Sequence, residues 1–158
     1  PMQPLVVRQA AAHALAEWQL HHAPPTPSVG GAAAWAGMHA LVHFFKHNFC
    51  DTSGSLLPND FSDLRRYELQ KSVVAAMSRV RATDGATPQV VFEVLLTALL
   101  TNDNDQNEAD DSYWRALLLL AAANCATERS MPELVIRDVT EGADATLRVG
   151  RDAQRLRE

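Results

Sequence analysis

The sequence has few of the features that stabilise secreted proteins or anchor membrane proteins. It contains only two cysteines, Cys50 and Cys125, with no pairing pattern and no C-x-x-C motif. This favours two reduced thiols over a disulfide. The longest apolar run, residues 116–123, is far shorter than the about 20 residues that span a bilayer. The first seven residues also lack the basic-then-apolar pattern of a signal peptide. We therefore expect no membrane association.

Motifs that carry catalysis or bind cofactors are also missing. The chain contains no H-E-x-x-H, no Walker loop, no G-x-G-x-x-G and no G-x-S-x-G. Glu17 and Glu93 are isolated carboxylates in apolar segments, so a paired general acid and base has no obvious candidates. The sequence therefore predicts no catalytic residue and no cofactor.

Three histidines suggest a metal site but do not complete one. His39, His43 and His47 follow one another at intervals of four residues, which places them on one face of a helix. They spread over about 12 Å of helical rise, so a single ion could take two of them at most. No acidic residue in that helix completes the ligand set. Stacked or solvated histidines are favoured over a metal site.

An acidic loop at residues 101–111 partly matches a calcium-binding loop. Asp103, Asp105 and Asn107 occupy the first three ligand positions of an EF-hand. Glu108 stands where glycine is needed, and Trp114 stands where the bidentate glutamate should be. We therefore expect these Asp and Asn side chains to satisfy backbone groups of the turn, with Asp110 or Asp111 capping the next helix.

The residues that are abundant point to an all-α fold. Alanine and leucine are frequent, β-branched residues come only in short runs, and 47% of the chain is hydrophobic. We expect irregular HEAT/armadillo-like helical repeats in one segment, residues 1–158, belonging to a larger chain. Loops are predicted at residues 22–31 and 50–59, and residues 141–158 form a weakly assigned tail. Helices are predicted at residues 5–21, 32–49, 60–81, 88–100, 113–127 and 132–140.

The predicted first helix carries a small-residue pattern. Its V-R-Q-A-A-A-H-A-L stretch, residues 7–15, is typical of the inner helix of a HEAT-type repeat. Ala11 and Ala14 would let a neighbouring helix approach closely, while Val7 and Leu15 would fill the gap between helices. We also expect Thr87 to cap the helix that begins at Pro88.

The predicted central helix, residues 60–81, is amphipathic. Asn59, Asp60 or Ser62 is available to cap its first turn. Arg66 lies beside the apolar stripe, where it should pair with a carboxylate of a neighbouring helix. The apolar stripe repeats at intervals of three and four residues, at Leu69, Val73, Ala76, Met77 and Val80.

Five basic residues give this helix local positive charge: Arg65, Arg66, Lys71, Arg79 and Arg81. The chain as a whole carries a formal net charge of −5, which disfavours a surface built to hold a phosphate backbone but leaves a local patch open. A solvated basic face is favoured over binding of phosphate or a partner.

Several motifs in the same order and spacing resemble the TFIID subunit 2 family, which are TATA-binding-protein-associated factors with an aminopeptidase-like architecture. The family's aromatic-x-L-Q-K core is kept at residues 67–71, and its Y-N-D-N turn appears at residues 101–104 with Thr101 in place of tyrosine. The sequence after Met131 resembles the family poorly. The matching blocks are N-D-F-S-D-L-R-R-Y-E-L-Q-K-S-V-V-A-A-M-S-R-V-R (59–81), T-P-Q-V-V-F-E-V-L-L-T-A-L-L-T-N-D-N (87–104), D-D-S-Y-W-R-A (110–116) and A-A-N (122–124).

This resemblance implies a non-catalytic scaffold segment of a nuclear initiation factor that acts with RNA polymerase II. Its implied partners are other TFIID subunits, with promoter DNA engaged through the whole complex. The alternative is the C-terminal helical domain of an M1-type zinc aminopeptidase, since the family is similar to those enzymes in fold but is regarded as inactive. The segment that would bind zinc would lie upstream of Pro1.

The first turns of the central helix hold more polar and aromatic residues than packing requires. We therefore predict the candidate interaction surface there, at Asn59, Asp60, Arg65, Arg66, Tyr67, Gln70 and Lys71.

Overall fold

The computed structural model of the chain describes residues 4–105 and 107–125. Within these residues the regular structure is helical, apart from an isolated bridge between Cys50 and Leu56. The predicted all-α class is therefore confirmed. The predicted helix at 132–140 and the tail at 141–158 lie outside the described residues. The helices are α1 (Leu5–His21), α2 (Gly31–Ala34), α3 (Ala36–Phe49), α4 (Leu64–Met77), α5 (Gln89–Leu100) and α6 (Ser112–Cys125).

Helix α4 lies at the centre of the described helices. It packs against α1, α3 and α6, while α5 packs against α6 and α3. The predicted apolar stripe from Leu69 to Val80 is completely buried, which confirms the core face read from the sequence. Burial of such a stripe is the main stabilising contribution for a helix of this length, since isolated short helices are marginal in water.

Both ends of α4 differ from the prediction. The helix begins at Leu64 and not at residue 60, because Asp63 is the N-cap and accepts a hydrogen bond from the Arg66 amide at 3.0 Å. Asp60 instead accepts from the Ser62 amide at 2.9 Å, which folds the preceding residues into a turn. At the other end, α4 stops at Met77, so Arg79 and Arg81 lie beyond the helix. The apolar spacing continues beyond the end of the helical backbone, because an apolar side chain such as that of Val80 can be buried even when its residue lies in a turn.

The predicted second helix is interrupted at Trp35, which separates the single turn α2 from α3. No side chain of the neighbouring residues caps α3; instead Gln19 of α1 does so from outside. Its Oε1 accepts from the amides of Gly37 (3.0 Å) and Met38 (3.2 Å), and its Nε2 donates to the Ala34 carbonyl at 2.8 Å. Gln19 therefore satisfies three backbone groups exposed by the break.

The buried face of α1 is not the predicted one. Ala12, Ala16 and Gln19 are buried, whereas Ala11 and Ala14 are exposed. Val7 and Leu15 are also exposed. The close approach of α1 to α3 depends on Gly37, because a Cβ there would lie 3.0 Å from the Leu15 carbonyl oxygen. The contact therefore requires Gly37 on α3, and the buried small residues of α1 are Ala12 and Ala16 instead of Ala11 and Ala14.

The predicted cap of α5 is wrong, and α6 leaves some of its apolar residues exposed. Thr87 does not cap α5; Pro88 occupies the cap position, and α5 begins at Gln89. In α6, Trp114 and Leu118 are fully buried, but Tyr113 and Leu120 are exposed. A helix rich in apolar residues gives no clear indication of which side faces inward, because almost every face satisfies the pattern.

The acidic loop is organised by its own side chains, as the sequence predicts. Asn104 donates to the Ala109 carbonyl at 2.8 Å, and Asn102 donates to the Asp111 carboxylate at 2.6 Å. Asp110 accepts from the Ser112 amide at 2.7 Å, at the first residue of α6. The amide and carboxylate side chains therefore hold the loop in place through local hydrogen bonds.

Candidate interaction surface at the start of the central helix

The structure divides the seven candidate residues into two groups. Asn59, Tyr67 and Gln70 are buried, with 3%, 9% and 5% of their surface exposed. Asp60 and Arg65 are exposed, and Arg66 and Lys71 are half-buried. The three buried residues therefore pack beneath the surface, and the four exposed or half-buried residues form the part that is accessible to a partner.

Tyr67 and Lys71 belong to an aromatic cluster that explains the aromatic-x-L-Q-K motif. The Tyr67 ring lies 5.2 Å from Phe61 and 6.3 Å from Trp114, measured between centroids. The Lys71 ammonium lies 4.8 Å from the Tyr67 centroid and 4.9 Å from that of Tyr113. Desolvation by burial raises the pKa of Tyr67, so the phenol stays neutral. The motif therefore joins α4 to α6 through tilted ring contacts and through a cation that lies near both Tyr67 and Tyr113.

Asn59 joins this region to the acidic loop. Its backbone carbonyl accepts a hydrogen bond from the Asn107 side-chain amide at 3.1 Å. The same Asn107 amide also donates to the Asn104 side-chain oxygen at 2.9 Å. The N-D-F and N-D-N motifs are far apart in sequence but form one linked structure. These contacts fix the orientation of the residues that precede α4.

Arg66 was predicted to pair with a carboxylate of a neighbouring helix, but within residues 4–105 and 107–125 its partner is a backbone carbonyl. Its Nη2 donates to the Asn48 carbonyl at 2.6 Å, in the last turn of α3. Its guanidinium carbon lies 5.7 Å from the centroid of Phe49. Carbonyls at a helix C-terminus lack intrahelical partners and carry partial negative charge, so a helix end serves in place of a carboxylate.

We expect Arg66→Leu to destabilise the chain by about 1–3 kcal/mol, because a helix-terminal carbonyl loses a charge-assisted hydrogen bond. Arg65→Leu is the matched control at the adjacent, exposed position and should change stability by less than about 0.5 kcal/mol. Urea denaturation followed by circular dichroism measures both. Equal effects of the two substitutions would contradict this role of Arg66.

The pKa of Asp60 reflects the hydrogen bonds of the turn that precedes α4. Hydrogen bonds from the Ser62 hydroxyl, and next from the Ser62 amide, lower the pKa of Asp60 below its ordinary value of 3.8. This turn is therefore favoured above pH 3.8, and the preference is lost as pH falls through the lowered pKa.

Removing the Ser62 hydroxyl should raise the pKa of Asp60. In an NMR titration of the side-chain carboxyl, we expect the midpoint to lie below 3.8 in the wild type and closer to 3.8 in Ser62→Ala. Ser53→Ala should leave Asp60 unchanged and instead raise the lowered pKa of Asp51. A midpoint for Asp60 that is the same in all three proteins would refute this assignment.

The other basic residues after the first turn of α4 have internal partners. Lys71 pairs with Glu68 at 2.7 Å, and Arg79 pairs with Glu17 at 3.2 Å. Arg81 donates to the carbonyls of Ser78 at 2.9 Å and Val80 at 2.7 Å, and to that of Asn124 in α6. Most of the positive charge assigned to this helix therefore serves internal contacts.

Arg65 and Arg66 instead meet Arg8 of α1 in a cleft of about 440 Å³. The sequence shows Arg8 only as part of a repeat pattern, because Arg8 is far from Arg65 and Arg66 along the chain. The cleft lies between the beginning of α1, the end of α3 and the beginning of α4. Its lining residues are Pro4, Leu5, Arg8, Asn48, Phe49, Asp63, Arg65, Arg66 and Leu69.

The histidines and cysteines lie away from this cleft. The rings of His43 and His47 are stacked with centroids 6.0 Å apart on an exposed face of α3. Cys50 and Cys125 are free thiols, and burial raises the pKa of each. Among residues 4–105 and 107–125, no cluster of three or more His, Cys, Asp or Glu side chains could hold a metal ion. Over the same residues, no helix has the length and apolar character needed to cross a bilayer.

Comparison with known proteins gives one family and a consistent set of relatives. The family described as "TAF2-like, TPR repeats" matches residues 5–143. The match begins at α1 and continues past Met131, farther than the sequence motifs indicate. It describes the repeats as TPR, a helix-pair repeat related in architecture to the expected HEAT/armadillo type.

The relatives include Transcription initiation factor TFIID subunit 2 of Danio rerio, which is 32% identical over 97 residues, or 60% of this chain. The protein of the same name from Schizosaccharomyces pombe is 32% identical over 115 residues, or 72% of this chain. These matches cover 8% and 9% of the two relatives, so the chain spans less than a tenth of their length. No solved structure matches the chain.

Proposed function

Since this chain belongs to the TAF2-like family of TPR repeats, we propose that it is a non-catalytic scaffold segment of a TFIID subunit. The observation that carries the proposal is the family match, which extends across all six described helices. Stacked helix pairs suit this role, because their cores are generic while their outer faces form extended binding surfaces. In this role the chain supports TFIID assembly and core-promoter recognition in the nucleus.

The proposed partners are other TFIID subunits, with promoter DNA engaged through the whole complex. The structure supports protein contacts over DNA contacts at α4, because Lys71, Arg79 and Arg81 have internal partners. A DNA-binding surface requires cations that are free to neutralise phosphates. A salt series on promoter duplex tests this directly: we expect no steep salt dependence attributable to this segment.

The alternative, the C-terminal helical domain of an M1-type zinc aminopeptidase, has less support. The relatives are named as a transcription initiation factor and not as a peptidase. An H-E-x-x-H motif with a distal glutamate upstream of Pro1, together with peptidase activity, would favour the enzyme.

Deleting residues 5–125 from the full-length protein tests the scaffold role. We expect co-purification with other TFIID subunits to be lost or strongly reduced, because the deletion removes the repeat surfaces. Deletion of residues 144–158, which lie beyond the family match, is the control and should leave co-purification intact. Unchanged co-purification after the larger deletion would overturn the proposal.

A further inference from the structure

The cleft lined by Arg8, Arg65 and Arg66, called the arginine cleft below, carries positive charge that no ion pair among the described residues neutralises. Among the described residues, none of these three arginines forms an ion pair, whereas Lys71 and Arg79 each do. Arg8 lies 5.8 Å from the centroid of Phe44, a contact that leaves its N–H groups available. Arg66 donates to a single carbonyl, Asn48, although a guanidinium has five N–H donors.

Acidic side chains that line the cleft are fewer than its arginines. Asp63 lines the cleft, but its carboxylate accepts from the Arg66 amide as the N-cap of α4. The Asp60 carboxylate accepts a hydrogen bond from the Ser62 hydroxyl, and its interaction with Arg66 is electrostatic without a hydrogen bond. Three arginines and one capping aspartate leave the cleft with an excess of positive charge.

The cleft also has an apolar wall. Pro4 and the half-buried Leu5 form its accessible part, whereas Phe49 and Leu69 line it only at its base and are each 2% exposed. Its volume of about 440 Å³ lies within the range of about 300–1,000 Å³ typical of sites that bind small ligands or a few side chains. A ligand that fits combines negative charge with at least one apolar group.

We infer that the arginine cleft binds a short acidic segment of a partner protein, with Asp or Glu carboxylates on the arginines and an apolar side chain against Leu5. Arginine favours this partner because its planar fork binds a carboxylate through two parallel hydrogen bonds. The inference rests on the proposed scaffold function, and it assigns the chemistry of one contact.

A DNA duplex fits this cleft less well. Its phosphates lie on a convex rod that cannot enter a cavity of this size, and it offers no apolar group to Leu5. Non-specific DNA binding needs several cations arranged along a surface, whereas the arginine cleft gathers three at one point.

Peptide binding to the full-length protein tests the inference. The probe is a fluorescent peptide of alternating Glu and Leu, and its partner control has Lys in place of Glu. We expect saturable binding of the acidic peptide, reduced about tenfold or more by Arg8→Glu combined with Arg65→Glu, because attraction becomes repulsion. Arg115→Glu is the matched control, since Arg115 is exposed on α6 away from the cleft. Arg8→Gln with Arg65→Gln should give a smaller loss without reversing charge.

Four results would overturn the inference: equal affinity in all variants, equal binding of the Lys peptide, stronger competition by duplex DNA than by free acidic peptide, and full competition by inorganic phosphate alone. Binding that appears only after deletion of residues 126–158 would assign the cleft to this chain's own tail and would also overturn it. Circular dichroism confirms that each variant is folded. Co-purification with TFIID subunits is measured separately. If the peptide does not bind, the scaffold proposal still stands. If co-purification is unchanged after deletion of residues 5–125, the scaffold proposal is refuted whatever the peptide result.

Discussion

Trp114→Ala is expected to destabilise the chain by about 3–5 kcal/mol, the range for truncating a buried aromatic residue. Trp114 is completely buried and is among the largest side chains of the core. Its indole Nε1 donates to the Asn102 side chain at 2.9 Å, so truncation removes a hydrogen bond as well as core volume. Because small domains are stable by only about 5–15 kcal/mol, this loss is a large fraction of the total. Urea denaturation followed by circular dichroism at a helical wavelength measures it.

Two control substitutions separate the contributions of Trp114. Trp114→Phe keeps most of the ring but leaves Asn102 without the indole donor, and should cost about 1–2 kcal/mol. Tyr113→Ala changes the adjacent aromatic residue, which is 71% exposed and contacts Lys71 through its ring. Its cost should stay below about 1 kcal/mol. Similar losses for Trp114→Ala and Tyr113→Ala would mean that α6 does not face the core as described.

Gln19→Leu is expected to destabilise the chain by about 3 kcal/mol, although leucine is of similar size and more hydrophobic. Gln19 is completely buried, and its amide serves the Ala34 carbonyl and the amides of Gly37 and Met38. Leucine cannot make these bonds, so three backbone groups at the junction of α2 and α3 lose their partner. Each buried polar group left unsatisfied costs about 1–3 kcal/mol, partly relieved where water enters.

Gln9→Leu is the matched control on the same helix. Gln9 is half-buried and donates to the Ser72 hydroxyl at 2.9 Å. That hydroxyl also donates to the Glu68 carbonyl at 3.0 Å, so it retains a partner after the substitution. The expected cost is below about 1 kcal/mol. If both glutamine substitutions have the same small effect in denaturant titrations, the capping role of Gln19 is wrong.

The α4 region shows how far sequence reasoning reaches. The stripe from Leu69 to Val80 is buried as its spacing predicts, because periodicity is a local property of the chain. The motif at residues 67–71 holds more polar and aromatic residues than a simple apolar stripe, and the structure accounts for its tyrosine by the tilted ring contact between Tyr67 and Trp114. Which of those residues are accessible was not visible from the motif. Asn59 and Gln70 are polar, yet they are buried.

Errors in the sequence reasoning share one physical cause. Arg66 was expected to find a carboxylate, but its partner is the carbonyl end of α3. The buried face of α1 was assigned to Ala11 and Ala14, but Gly37 of α3 sets the close contact. In both cases the deciding group is a backbone carbonyl, that of Asn48 in the last turn of α3 or that of Leu15 within α1. Every residue has such a carbonyl, so a pattern of side chains does not reveal which one makes the contact.

The sequence by itself determined the all-α class, the buried stripe of α4 and the resemblance that the family match confirms. These follow from local periodicity and from motifs in fixed order. Only the tertiary structure decided that Gln19 caps α3 and that Arg81 links the ends of α4 and α6. It alone brought Arg8 beside Arg65 and Arg66. Each of these contacts depends on how helix ends meet in space, and that geometry arises when the helices pack.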